Sequence, residues 1–155
     1  MCWIGNINNK KTVETASDNL IVYKILAKNI DGKYVAPYMR KIYEVGEMYT
    51  ISSLILEGKT PCGYCKISEG FHSFSKECIV RYGSSIEHHV YTKNGRFNKT
   101  IECRLSDLAV IAECVIPIGA TYYENEKGEI VSDTIIITKI CKDIPIHPKH
   151  FKELK

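Results

Sequence analysis

The segment from Asn19 to Lys28, NLIVYKILAK, is the first with a decisive pattern. Its apolar residues are largely β-branched and too evenly spread for one helix face, which predicts a central strand. Asp31-Gly32 predicts a turn, and Lys33 to Ala36 a short returning strand that Pro37 ends. Tyr43 to Thr50 alternates around Gly46, a turn leading into a further strand. Leu54 to Glu57 fits one helical turn or a strand, and Gly58 to Gly70, with three glycines and a proline, predicts a loop.

One helix is expected next. Ser75 has the chemistry of an N-cap, Glu77 lies in the first turn where the helix dipole favours an acid, and Gly83 supplies a stop. Phe74, Cys78, Ile79 and Tyr82 share a face at helical spacing. Glu87 to Lys93 and Arg96 to Leu105 then form a hairpin through Asn94-Gly95, the strongest short hairpin signal. Leu108 to Ile116 predicts a buried strand ending at Pro117. Ala120 to Tyr123 and Ile130 to Ile140 predict a second hairpin, turning at Asn125 to Gly128. By period-two spacing, Val131, Ile135 and Ile137 would share one face and Ile136 and Ile140 the other, so that this strand is sandwiched and Ile136 is a core residue.

Strands, one short helix and more strands, without β–α alternation, predict an α+β, β-rich fold with mostly antiparallel sheets and the helix packed on them. The chain of 155 residues is read as a single domain, 1–155, with an irregular N-terminal arm over 1–18 and an irregular tail over 141–155. A domain of that size buries about 70% of the surface its unfolded chain exposes, so it needs no staple. The composition, 45% hydrophobic and 25% charged, is that of a folded globular chain.

Net charge is +3, with basic and acidic residues interleaved, which does not predict a nucleic-acid surface. The first residues lack a secretory h-region, and no apolar run reaches the ~20 residues of a bilayer span. The expected location is therefore cytoplasmic, without a membrane role. Seven cysteines, an odd number, predict free thiols. Ten Tyr stand against four Phe and one Trp, a set suited to sheet faces and to binding surfaces alike.

Candidate chemistry is sparse. Cys62-Gly63-Tyr64-Cys65 is followed by no helix start, which a redox pair needs to activate its first thiol. Cys62, Cys65, His72 and Cys78 have C-x2-C-x6-H-x5-C spacing and are the alternative, a tetrahedral zinc set; the preferred expectation is no metal. An N-terminal Cys2 nucleophile would want glycines after it, where Trp3 and Ile4 stand. His88 and His89 fall on a strand and point to opposite faces. No Walker or G-x-G-x-x-G sequence is present, and no cofactor is expected. Glu69 to Ser75, EGFHSFS, runs a glycine-led turn into the helix start. Its serines and histidine suit an anion, or serve as caps around a core formed by Phe71 and Phe74.

Val22 to Leu26, Glu69 to Phe74 and above all Ile116 to Asp133 resemble a set of small proteins of gut Bacteroidales and their phages. The resemblance implies a phage or host setting: a virion component or a host-factor binder, present in the host cytoplasm or the virion. A fainter similarity is to ADP-ribosyltransferase-like domains. There Tyr23-Lys24 stands where an Arg or His is usual, the middle F-x-S-T-S segment reads F-H-S-F-S over Phe71 to Ser75, and Glu113 and Glu129 are the available late acids. The leading expectation is a non-enzymatic interaction or accessory protein whose partner is a protein: itself, a virion component or a host factor. The alternative is a small-ligand or nucleotide-binding domain using Lys24, His72, Ser73, Tyr122 and Tyr123.

Overall fold

The computed structural model describes residues 2–5, 13–28, 32–36, 41–54, 56–59, 64–67, 69–82, 86–91, 97–103, 109–125 and 127–141. The strands are β1 Cys2–Gly5, β2 Glu14–Thr15, β3 Leu20–Lys28, β4 Tyr34–Val35, β5 Ile42–Tyr43 and β6 Met48–Thr50. β7 Leu56–Lys59, β8 Tyr64–Ile67 and β9 Phe71–Phe74 lead to the helix α1, Lys76–Tyr82. β10 Ile86–Tyr91, β11 Phe97–Cys103, β12 Ala109–Ile116, β13 Thr121–Glu124, β14 Glu129–Ser132 and β15 Thr134–Cys141 complete the set. Every pairing among them is antiparallel. The fold is α+β, dominated by antiparallel sheet with one short helix against it.

The main sheet runs β2-β13-β14-β9-β3-β12-β15-β6, with β4 on β3 and β5 on β4. The path from β14 through β9, β3 and β12 to β15 starts and ends on one stretch of chain, with Asp133 alone between β14 and β15. A sheet whose two ends are joined by one residue must roll back on itself. Its inner face is the core. Val22 and Leu26 of β3, Ala112, Cys114 and Ile116 of β12, Ile135 and Ile137 of β15, Phe71 of β9 and Ile130 of β14 are all buried there. Three strands, β1-β8-β7, make a separate small sheet, and β1 runs close to β14. β10 and β11 form the hairpin expected around Asn94-Gly95, a turn outside the described residues.

Several sequence expectations change. Within 1–18, two segments are strands rather than an irregular arm: Cys2–Gly5 pairs with β8, and Glu14–Thr15 with β13. The segment from Gly58 to Gly70 is not a plain loop, since it holds the end of β7 and all of β8. Local composition favoured a turn there; pairing to a strand more than fifty positions away prevails. Of the 141–155 tail, Cys141 closes β15, and the rest lies outside the described residues.

Ile130 to Ile140 is two strands rather than one arm of a hairpin. Asp133 makes the corner: its carboxylate accepts from Thr121 N–H at 3.1 Å and Thr121 Oγ1–H at 2.7 Å, and its own N–H donates to Thr121 O. Across that corner the side-chain alternation changes phase. Val131, paired with His72 and Tyr123, lies on the outer face, while Ile135 and Ile137 lie inside. A bulge then follows: Glu113 faces Lys139 and Cys114 faces Ile137, leaving Thr138 over, its hydroxyl donating to Glu113 O at 2.7 Å. The extra residue returns Ile140 to the inner side, opposite Ala112. Ile136 is left half-buried on the outer face.

The helix starts as expected. Cys78 N–H donates to Ser75 Oγ at 3.2 Å, and Cys78 and Ile79 are buried. Gly83 lies outside the described residues. Seven residues cannot hold a helix alone, and α1 rests against β3 and β9.

Candidate functional site

Residues opposite one another in register share a face, so the strand register sorts the candidate side chains. Tyr23 faces Phe74, which puts His72 and Phe74 on the outer face of β9 and Ser73 on the inner one. Val131 faces both His72 and Tyr123, which are therefore outer. Tyr122 faces Ser132 on the inner side. Lys24 faces Ala112, deep in the roll, and is 5% exposed. Thus Lys24, Ser73 and Tyr122 lie within the roll, while His72 and Tyr123 lie outside it. They do not converge on one pocket.

Each has an account in the fold. The Lys24 ammonium donates to the backbone carbonyl of His72 and lies 5.1 Å from the centroid of the Tyr43 ring. This tie crosses from β3 to β9, where the ladder between those strands is thin. The Tyr122 hydroxyl is pushed up to about 12, by burial first and then by its hydrogen bond to Glu14 and the charges of Glu14 and Glu124. Burial also raises Tyr123. The fully buried hydroxyls of Ser73 and Ser132 meet no hydrogen-bond partner among the described residues.

Both late acids have partners within the fold. Glu129 lies beside His72, Oε2 to Nε2 3.7 Å, and accepts from Asn125 Nδ2 at 3.1 Å. Glu113 pairs with Lys139 at 3.6 Å on the outer face.

The zinc alternative lies partly outside the described residues. Cys62 lies outside the described residues, and Cys65 belongs to a strand instead of a loop. Cys78 is buried beside the helix start. Among the described residues no group of three His, Cys, Asp or Glu is placed to hold a metal. Burial pushes the Cys114 thiol up to about 12, which keeps it protonated and inert. No helix among the described residues is long and apolar enough to cross a membrane.

No family model, curated protein or solved structure matches this chain. Its surfaces must carry the functional reading.

One surface stands out, and the strand patterns had concealed it. Ile21 of β3 faces Val115 of β12, Val115 faces Ile136 of β15, and Ile136 faces Met48 of β6. These four apolar residues form one straight row across four strands on the outer face. Ile21 is 60% exposed and Met48 59%, with Val115 and Ile136 half-buried between them. The helix and β1 lie toward the β9–β14 side instead, where Tyr23, Val131 and Tyr123 are buried.

The row ends at an edge. Among the described residues β6 has a partner only on its β15 side. Ile51 N–H bonds to Asp133 O, and Ile137 N–H to Glu47 O. By antiparallel alternation, the amides of Met48 and Thr50 therefore point outward, away from β15. In the sequence, the even apolarity of Leu20 to Leu26 gave no hint of which half would stay uncovered.

Proposed function

We propose that this chain is a non-enzymatic interaction protein that receives an extended segment of a protein partner along β6. The observation that carries the reading is the row Ile21, Val115, Ile136 and Met48, which runs up to an edge with outward-pointing amides. A strand added beside β6 takes its affinity from main-chain hydrogen bonds and its selectivity from alternate side chains. Those side chains would continue the apolar row and cover Met48. Fully burying one large apolar side chain is worth roughly 1.5–3 kcal/mol, so covering Met48 is a substantial gain. The separation of Lys24, Ser73 and Tyr122 from His72 and Tyr123 weighs against a ligand pocket built from those five residues. The setting, a virion or a host factor, rests on the resemblance of Ile116 to Asp133 to proteins of gut Bacteroidales and their phages.

The test captures a partner from host lysate on the full chain, identifies it, and measures its affinity for wild type and variants. Met48→Glu should weaken it about tenfold or more, since a buried carboxylate has no counter-charge there. Ile21→Glu, three strands away on β3, should leave it unchanged. Thr50→Pro should weaken it too, by removing one outward amide while leaving the β15 ladder intact. A concentration-dependent dimer abolished by Met48→Glu would identify the partner as a second copy. Unchanged affinity in both Met48→Glu and Thr50→Pro overturns the reading.

A further inference from the structure

A second feature lies on the inner side, at the mouth of the roll. Tyr43, Tyr49 and Phe71 come from three strands, β5, β6 and β9, and meet as a steep-walled trio. Tyr43 and Tyr49 have centroids 4.9 Å apart at 74°. Phe71 stands 6.4 Å from each, at 74° to Tyr43 and 54° to Tyr49. Rings at such angles pack edge to face and leave ring faces turned to one side of the trio. The Glu44 amide donates to the Tyr49 hydroxyl at 2.7 Å and fixes that wall.

An ammonium group lies over all three rings. Lys41 Nζ lies 5.1 Å from the Tyr49 centroid, 5.1 Å from Phe71 and 6.0 Å from Tyr43. No carboxylate pairs with it among the described residues, and the three rings are its neighbours. Tyr43 and Phe71 are buried and Tyr49 half-buried, whereas Lys41 is exposed, so its ammonium approaches the trio from the solvent side. Its backbone is held in place by Ala36 N–H, which donates to Lys41 O at 3.0 Å. The side chain is a tethered plug.

We propose that Tyr43, Tyr49 and Phe71 form an aromatic cage for a methylated ammonium head group, a small quaternary ammonium, with Lys41 as the resident cation such a ligand displaces. A cation near several ring faces is attracted by their quadrupoles, and quaternary ammonium recognition is the best-known use of that arrangement. A lysine ammonium is compact and strongly hydrated, so holding it among rings forfeits much of its hydration. A methylated ammonium is more weakly hydrated and fills the cage with apolar surface. Lys24, 5.1 Å from the other cation's ring Tyr43, adds a like charge nearby. That repulsion acts on Lys41 as it would on the ligand, and Lys41→Ala lowers the local positive charge. The occupied cage is a closed state, and apparent affinity falls by the fraction of molecules in which Lys41 has left.

The site is independent of partner docking on β6 and is tested without any partner. Tetramethylammonium is titrated into the full chain and its methyl proton resonance followed, ring currents moving it upfield on binding. Lys41→Ala should bind the probe about tenfold more tightly than wild type. Tyr49→Leu in the Lys41→Ala background should abolish the shift, and Tyr49→Phe should retain it. The neutral isostere 3,3-dimethylbutan-1-ol should bind far more weakly than tetramethylammonium to Lys41→Ala. No saturable shift with folded Lys41→Ala overturns the proposal, and so does equal binding of the neutral isostere.

Discussion

His72 and Glu129 stand diagonally across β9 and β14, Nε2 3.7 Å from Oε2, on the outer face of the sheet. The His72 imidazole beside it, the Asn125 amide and the charge of Lys127 hold the Glu129 carboxyl below its ordinary range, against burial, which acts the other way. A lowered native value means that the unfolded chain takes up the proton first. The stabilisation is thus complete above the usual Glu range and is lost as pH falls through the lowered native value. Urea unfolding should show Glu129→Gln less stable than wild type near neutral pH, with the gap closing below about pH 4. A gap independent of pH would assign Glu129 a packing role instead.

Ile135 and Ile136 are adjacent, and the fold treats them differently. Ile135 is fully buried inside the roll, and Ile136 lies half-buried on the outer row. Ile135→Ala should cost ~2–5 kcal/mol, a large part of a typical total of roughly 5–15. Ile136→Ala should cost less than half as much, since part of its surface is already in water. Thermal unfolding of the two variants side by side decides it. Equal losses would mean that Ile136 is covered in solution, as a dimer through the outer row would make it.

Gly128 joins two elements that the sequence had placed apart. Its carbonyl accepts from Ser75 N–H at 2.8 Å, and a Cβ on it would stand 2.2 Å from Ser75 Oγ and 3.1 Å from Cys78 Cβ. Its φ of 88° lies in the left-handed region. Gly128→Ala should therefore lower the melting temperature through backbone strain and through damage to the helix cap. Gly46, at φ 91°, has open space around the missing Cβ, so Gly46→Ala carries the strain alone, about 1 kcal/mol. Equal effects in the two variants would show that Ser75 yields freely and the cap is unimportant.

Elements with local causes were legible. The Asn94-Gly95 hairpin, β12 up to Pro117, the strand from Leu20 to Lys28 and the Ser75 cap all follow from residues a few positions apart. The β7–β8–β1 sheet was not legible, because its glycines and proline read as a loop unless the distant strand Cys2–Gly5 is supplied. Ile140 was assigned to the wrong face for a similar reason. A bulge at Thr138 is set by the pairing with Glu113 and Cys114, not by the apolar run itself.

The candidate residues divide along the same line. Hydrophobic alternation and turn chemistry determined that this chain is β-rich, antiparallel and served by one short helix, since those depend on neighbours in sequence. Which face of each strand meets water depended on the corner at Asp133, the bulge at Thr138 and the roll of the sheet. Those are contacts between residues far apart, whose energies no local pattern encodes. They turned Lys24 inward and His72 outward, left Ile21 and Met48 in solvent, and gathered Tyr43, Tyr49 and Phe71 around Lys41. Composition supplied the tyrosines; only the closing of the sheet brought two of them and a phenylalanine around a cation.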